Sequence, residues 1–584
     1  MSRRRLLKVP SLRFLGVEAY SSSLRPRCLF SSFNPSFTRN LATNATNRLP
    51  SRRISSILDS KSLMMDLDSE IFNYTTGRFL ANEAYHLSQR RVFDVPGLFE
   101  IIAKATNCKT EQITGFRKFG EGGLNRIFLV TLDTGFQLIA RIPYPLLIPK
   151  AYAIASEVAT MDLLRSRGVP NSQGLRAQTE YILMEYMKGT DLSQIWSGLE
   201  RDEIKSLVDQ LVKLEHITMS IASGSIYYTR DLMELALEGD RFCIGPDVSI
   251  PLWYGQREWL EVFRGPYKNA ESVLITGAKK ELAYLDKFGA PRAPYQHFQR
   301  EYYKYEKQSP LDHVKNLHRY LRLASALLPD DHSLSAFCIR LPDRSDSNIR
   351  VSIDSVGLDI VSLLDWQHTA VLPLFLHAGV PNFLQSKEDE VSQQMVTPEL
   401  PDNFDTLSEE DKDWELLRRR LAHYHYNLST AAHNKVHHEG LVYPLTPFRR
   451  RIFIHASAIW EGETIKLLCA MIDLVCNWEV FATDGTSCPV DFTEEEIEKA
   501  LKLYQALANA DMGERQLMER ISYADETWVP VAHYEAAKAI GQELKRMTLK
   551  ASAEDEETTE EDYALIEANW PLDDMEEDEL YEYK

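Results

Sequence analysis

No two cysteines of this chain stand at CxxC spacing. The seven, Cys28, Cys108, Cys243, Cys338, Cys469, Cys476 and Cys488, are scattered. That excludes a zinc-finger ligand set or a disulfide framework and fits a reducing interior. No apolar run reaches the length of a membrane span. The best, IKLLCAMIDLVCNW, is too short and is interrupted by Asp473, so it reads as a buried helix. No glycine-rich stretch ends in Gly-Lys-Ser/Thr, which excludes a Walker A loop, and none has the Rossmann spacing between strand and helix. An overall basic excess is missing too. The net charge of -19 over 584 residues argues against general nucleic-acid binding. There is no internal repeat.

Acids are scarce in one place. Residues 1–58 hold Glu18 alone against ten Arg and one Lys, so they carry +10 and the remainder -29. An Arg- and Ser-rich segment with almost no acid reads as a mitochondrial transit peptide, removed after import, which places the mature chain in the mitochondrion, in its matrix. The competing reading is a disordered basic arm. The other end is the reverse. Residues 551–584 hold fifteen acids and one Lys, and read as a solvated, largely disordered tail, within which WPLDDM offers one Trp to dock on the body.

Between these ends the pattern changes period. Residues 69–106 read as helical. ITGFRKFGEGGLNRIFLVTLDTGFQLIARIP (113–143) alternates apolar and polar positions around two glycine-bearing turns and reads as a three-strand meander. ASEVATMDLLRSRG has helical spacing and stops at Gly168, EYILMEYM (180–187) is a short buried strand, and a helix opens near Asp202. Residues 220–335 are aromatic-rich and irregular with helical patches; 408–478 and 493–548 read as long helices. Strands first, then mostly helices, predicts an α+β fold of two lobes. The expected boundaries are an N-lobe over 69–187, a helical C-lobe over 188–550 with an insertion at about 220–335, and the acidic tail.

Several residues carry chemistry when taken in order. In FGEGGLN, Gly120, Gly122 and Gly123 let backbone N–H groups approach phosphate oxygens, although a plain hairpin turn uses the same residues. LIARI places Arg141 on the next strand, and Glu157 on the following helix is its candidate partner; the bland alternative is an exposed Arg and an unrelated Glu. LPDRSDSNIRV sets Asp343 five residues before Asn348, and LLDWQ sets Asp365 seventeen residues further on. An Asp to accept a hydroxyl proton, then an Asn and an Asp to hold Mg²⁺, is what a kinase-like phosphotransferase requires. Isolated Asp/Asn pairs are also common turn formers; it is the order of all the parts that raises this reading. His423, His425, His433, His437 and His438 lie in a helical region without zinc-ligand spacing and read as structural.

These stretches resemble the aminoglycoside phosphotransferase and choline-kinase-like superfamily. Within it they resemble the fungal mitochondrial branch, the altered inheritance of mitochondria protein 9 family. FGEGGLNRIFLVTLDTGFQLIARIP, EYILMEYMKGTDLSQIW, LLDWQHTAVLPLFLHAGVPNFL, HYHYNLSTAAHN, IWEGETIKLL and WVPVAHYEAA carry it. The resemblance implies a protein-kinase-like fold with a small β-rich N-lobe and a large helical C-lobe, and ATP and Mg²⁺ as cofactors. It implies a small-molecule hydroxyl or amine as phosphate acceptor. In the family pattern HxDxHxxN, Asp343 takes the catalytic place, and Asn348 and Asp365 take those of the metal ligands. Arg141 with Glu157 and the 120–123 backbone would hold the nucleotide, with adenine against Glu185, Tyr186 and Met187 of the hinge. Leu341 and Ser345 stand where the pattern has histidines. Their loss supports the alternative, a catalytically impaired protein acting as a mitochondrial scaffold or regulator.

Overall fold

The alternation over 113–143 becomes a sheet. The computed structural model describes residues 71–583 apart from 89–91, 122–123, 146, 179–180, 216–222, 233–234, 237–240, 354–356, 387–391, 393–394, 400–413, 444, 483–484, 522–526 and 556–557. The segment read as a transit peptide, and Gly122 and Gly123, lie outside the described residues. The strands are β1 (Gly77–Phe79), β2 (Ile113–Glu121), β3 (Asn125–Leu132), β4 (Gln137–Pro143), β5 (Gly174–Gln178), β6 (Tyr181–Glu185), β7 (Thr190–Asp191), β8 (Ser225–Tyr228), β9 (Leu235–Ala236), β10 (Phe242–Gly245), β11 (Phe337–Ile339), β12 (Ile349–Ile353), β13 (Leu358–Leu363), β14 (Val371–Pro373) and β15 (Trp528–Pro530).

Five strands make the N-lobe sheet, in the order β2-β3-β4-β6-β5, each pair antiparallel. Successive side chains of a strand point to opposite faces, and here both faces are covered. Phe128, Val130, Leu138 and Ala140 pack with Leu98 and Ile102 of the helix Val95–Thr106. Leu129, Ile139, Ile182 and Met184 pack with Ala153 and Ile154 of the helix Lys150–Ser166. That second helix ends where the sequence expects. Gly168 sits at φ +89, a left-handed conformation that costs glycine little, and Val169 N–H closes back onto Leu164 O at 3.0 Å.

The C-lobe core gathers apolar faces of the helices Arg201–Leu214, Ala270–Phe288, Pro310–Leu323, Trp414–His433, Thr446–Ser457 and Ile465–Cys476, together with the hairpin β12–β13. The run IKLLCAMIDLVC is indeed a buried helix: Leu467, Ala470, Met471 and Leu474 enter the core, and Asp473 turns away to pair with Arg451. No described helix is long and apolar enough to cross a membrane. The architecture is α+β with two lobes, a small sheet-based one and a larger helical one.

Three expectations need correction. Residues 77–79 are not helical but form β1, which pairs antiparallel with β15. The partner strand comes from the far end of the chain, and Trp528 packs edge-on to Phe79 with ring centroids 4.7 Å apart. A Cβ at Gly77 would lie 2.2 Å from Trp528 Cε2, so the close approach excludes any larger residue. The irregular insertion contains a three-stranded sheet, β8-β10-β9, besides its helices. The acidic tail is docked rather than disordered. It forms the helices Glu560–Ala568 and Glu577–Glu582, and Trp570 is only 7% exposed. Arg300 donates to Asn569 Oδ1 at 2.9 Å and pairs with Glu579, and Tyr583 Oη donates to Ala293 O at 2.7 Å. Cations of the insertion accept part of the tail's charge, which composition alone does not reveal.

Candidate active site

β4 alternates around Arg141. Leu138, Ala140 and Ile142 face the Val95–Thr106 helix, so Ile139 and Arg141 face the other helix, Lys150–Ser166. Glu157 on that helix is buried and receives Arg141 Nη2. Arg141 Nη1 stands 3.6 Å from Asp365 Oδ1. One guanidinium therefore lies between two carboxylates. Burial pulls the Arg141 pKa below its ordinary value, and Asp365 opposes that pull. Protein groups surround Asp365, yet its side chain keeps 43% of its exposure. The surrounding protein raises its pKa, opposed by the Arg141 charge and by the Gln367 backbone. Its φ of +58 is left-handed, a conformation Asp tolerates better than most residues and one often kept at functional positions.

The spacing from Asn348 to Asp365 is explained by a hairpin. β12 and β13 are antiparallel with Ile349 opposite Leu363. That register sets Asn348 beside Leu364, whose N–H donates to Asn348 O at 2.8 Å. Asn348 Nδ2 donates to Asp343 O at 3.1 Å, which ties the loop across its own turn and leaves the side-chain oxygen of Asn348 for another partner. Asp343 is half-buried ahead of that turn.

The positions without histidine are filled in other ways. Leu341 belongs to the C-lobe core, and Ser345 Oγ pairs with Ser347 Oγ at 2.8 Å. Behind the loop stands Arg340, which sequence reading missed. It donates to His377 O and Gly379 O at 2.7 and 2.9 Å, and meets Glu215 Oε1 at 2.5 Å and Tyr426 Oη at 2.9 Å. Glu215 is 125 residues away, and nothing local in the sequence signals the pair.

In the N-lobe sheet, Gly120 lies opposite Ile127, and a Cβ there would meet nothing within 4 Å. Glu121 is buried and accepts from Thr75 N, Thr76 N and Thr76 Oγ1 at 2.8, 2.9 and 2.9 Å. The stretch before β1 thus anchors the end of β2. At the start of β3, Asn125 Nδ2 donates to Gln367 Oε1 at 2.9 Å, linking the two lobes beside Asp365. Asn125 Oδ1, Gln367 Nε2 and Arg141 Nε are buried without a partner among the described residues. Such groups are costly unless something else satisfies them. Glu185, at the end of β6, lies opposite Leu138 and pairs with Arg165 at 3.2 Å; Tyr186 packs edge-on to Phe119, and Met187 follows, half-buried.

The structure thus joins Arg141, Glu157 and Asp365 directly, and Asn348 with Asp343. The histidine-rich stretch takes no part. His437 is buried and bonded to Tyr426 Oη at 3.2 Å, and no three His, Cys, Asp or Glu among the described residues are placed to hold a metal.

No family model matches the sequence. Individual relatives do. A subtelomeric hrmA-associated cluster protein of Aspergillus fumigatus is 28% identical over 510 residues, covering 79% of this chain and 97% of its own. Altered inheritance of mitochondria protein 9 of Yarrowia lipolytica is 24% identical over 530 residues, covering 80% and 85%. Homologues of the chain therefore bear the name altered inheritance of mitochondria protein 9. The protein so named in Eremothecium gossypii is 24% identical over 477 residues, covering 72% of this chain and 74% of its own. Similar solved structures include the streptomycin–ATP ternary complex of APH(2″)-IIa, 13% identical with a TM-score of 0.32, covering 67% of this chain and 99% of that one. Another is Plasmodium vivax ethanolamine kinase, 12% identical with a TM-score of 0.31, covering 69% and 95%.

Proposed function

We propose that this chain is a mitochondrial kinase-like phosphotransferase that uses ATP and Mg²⁺ to phosphorylate a hydroxyl or amine of a small molecule. The observation that supports the reading is Arg141 held between Glu157 and Asp365, with Asn348 set beside Leu364, the residue before Asp365, by the β12–β13 hairpin. The residues present fit both cofactors. Asn348 and Asp365 offer hard oxygen donors suited to Mg²⁺. The unpartnered Arg141 Nε and the open space over Gly120 suit a phosphate chain, and Glu185, Tyr186 and Met187 would hold the adenine; Gly122 and Gly123 belong to the proposal by sequence alone. Bound Mg²⁺ would draw negative charge from the phosphates. Asp343 orients the acceptor and takes its proton, and Arg141, placed by Glu157, holds the nucleotide. The names of the mitochondrial relatives and the basic residues 1–58 support the location, with the matrix as the compartment.

Leu341 and Ser345 favour a second reading: a protein that binds nucleotide but does not transfer phosphate, acting as a scaffold or regulator. ATP turnover by the chain lacking residues 1–58, with and without Mg²⁺, separates the two. Mg²⁺-dependent turnover abolished by Asp343→Ala supports the enzyme; nucleotide binding without turnover supports the scaffold.

A further inference from the structure

The insertion's small sheet touches two parts of the site at once. On one side it reaches the helix that carries Glu157. Tyr228 Oη donates to Asp162 Oδ2 at 2.7 Å, and Arg241 pairs with the same carboxylate. On the other side it grips the segment that follows Asp365. Gly224 and Val371 exchange both backbone hydrogen bonds, at 3.2 and 2.7 Å, and Ser223 Oγ donates to Val371 O. Ser225 Oγ donates to Thr369 O at 3.0 Å and accepts from Val248 N at 3.0 Å, while Val248 O takes His368 Nδ1 at 2.8 Å. Positions 368, 369 and 371 are thus pinned by Ser223, Gly224 and Ser225, just before and at the start of β8, and by Val248, which follows β10. Asp365 and His368 both adopt left-handed backbone, φ +58 and +57, which persists only where the surroundings hold it.

We propose that Ser225 is a positioning residue, and that β8 holds the Asp365 loop at a set place relative to the Glu157 helix. Ser225 is fully buried and touches neither Arg141 nor Asp365; it acts through the backbone of Thr369 and Val248. The insertion then has a role in the site: it keeps Asp365 facing both the guanidinium and the cation. This inference rests on the reading of Asp365 as a metal ligand. Groups that support a ligand from behind commonly change metal affinity when removed.

The test uses the chain from residue 59 with two readouts. In a thermal-shift titration at fixed ATP, Ser225→Ala is expected to raise the Mg²⁺ concentration of half-effect about tenfold. In hydrogen–deuterium exchange without ligand, it is expected to speed exchange over residues 364–371 while β2–β4 stay as in the parent. A Mg²⁺ half-point within twofold of the parent, with unchanged exchange at 364–371, would overturn the proposal. A merely structural serine would lower the melting temperature and leave the Mg²⁺ half-point in place, which also overturns it. If Ser225→Ala does not fold, Tyr228→Phe decides by the same readouts, with faster exchange in the Lys150–Ser166 helix and a raised half-point expected; parent-like values overturn the proposal. A parent without any Mg²⁺ response would contradict the phosphotransfer reading, and exchange at 364–371 would still decide the positioning role.

Discussion

Arg141 is buried against two carboxylates, and its two partners are unequal. Glu157 is enclosed on the helix, whereas the Asp365 side chain is partly exposed. Glu157→Gln leaves a buried guanidinium with its weaker partner alone. Breaking a buried pair by removing one member costs about 3–5 kcal/mol, so urea denaturation of this variant is expected at a clearly lower midpoint, together with weaker nucleotide binding. An unchanged midpoint would mean that the pair is structurally idle. Asp343 belongs to a different class. It is expected to act in the transition state, so Asp343→Ala should lower turnover by about 10²–10⁴-fold while ATP affinity changes little. Equal turnover in variant and parent would remove Asp343 from the mechanism.

At the scale of elements, what the sequence showed was what is local. The alternation of 113–143 and the helical spacing up to Gly168 come from contacts within a few residues of each other, and both elements are present. The order Gly120, Arg141, Glu157, Asp343, Asn348, Asp365 was readable as a motif; one strand–helix packing brings Arg141 to Glu157, and one hairpin sets Asn348 beside Leu364, the residue before Asp365. What was not readable depends on distant partners. β1 needs β15, Arg340 needs Glu215, and Asn125 needs Gln367. None of these pairs has a local signal. The tail was misread for the same reason, because its acids were counted without Arg300, Lys307 and Lys545, which receive Glu579, Glu582 and Asp573. Trp570→Ala should therefore destabilise the folded chain by about 3–5 kcal/mol, as for other buried aromatics. A denaturation midpoint equal to that of the parent would mean the tail contributes nothing.

For the whole molecule, acid sensitivity follows from its buried histidines. Burial holds His86 and His313 down to about 4 and His437 well below its ordinary value. In the unfolded chain these groups titrate near 6.5. Between these limits the unfolded state binds more protons, so stability rises with pH from about 4 to about 6.5 and is lost as pH falls through that window. Urea midpoints measured across it should show that slope; a flat profile would contradict the neutral, buried state of these rings. The same molecule brings its two lobes together at Asn125–Gln367 and Arg141–Asp365, where the central claim is located. The most direct measurement is ATP binding by the chain from residue 59, followed by calorimetry with and without Mg²⁺, for the parent and for Asp365→Asn. Mg²⁺-dependent ATP binding in the parent, weakened at least tenfold in the variant, is the predicted result. No ATP binding by the parent, or binding indifferent to both Mg²⁺ and Asp365, would contradict it.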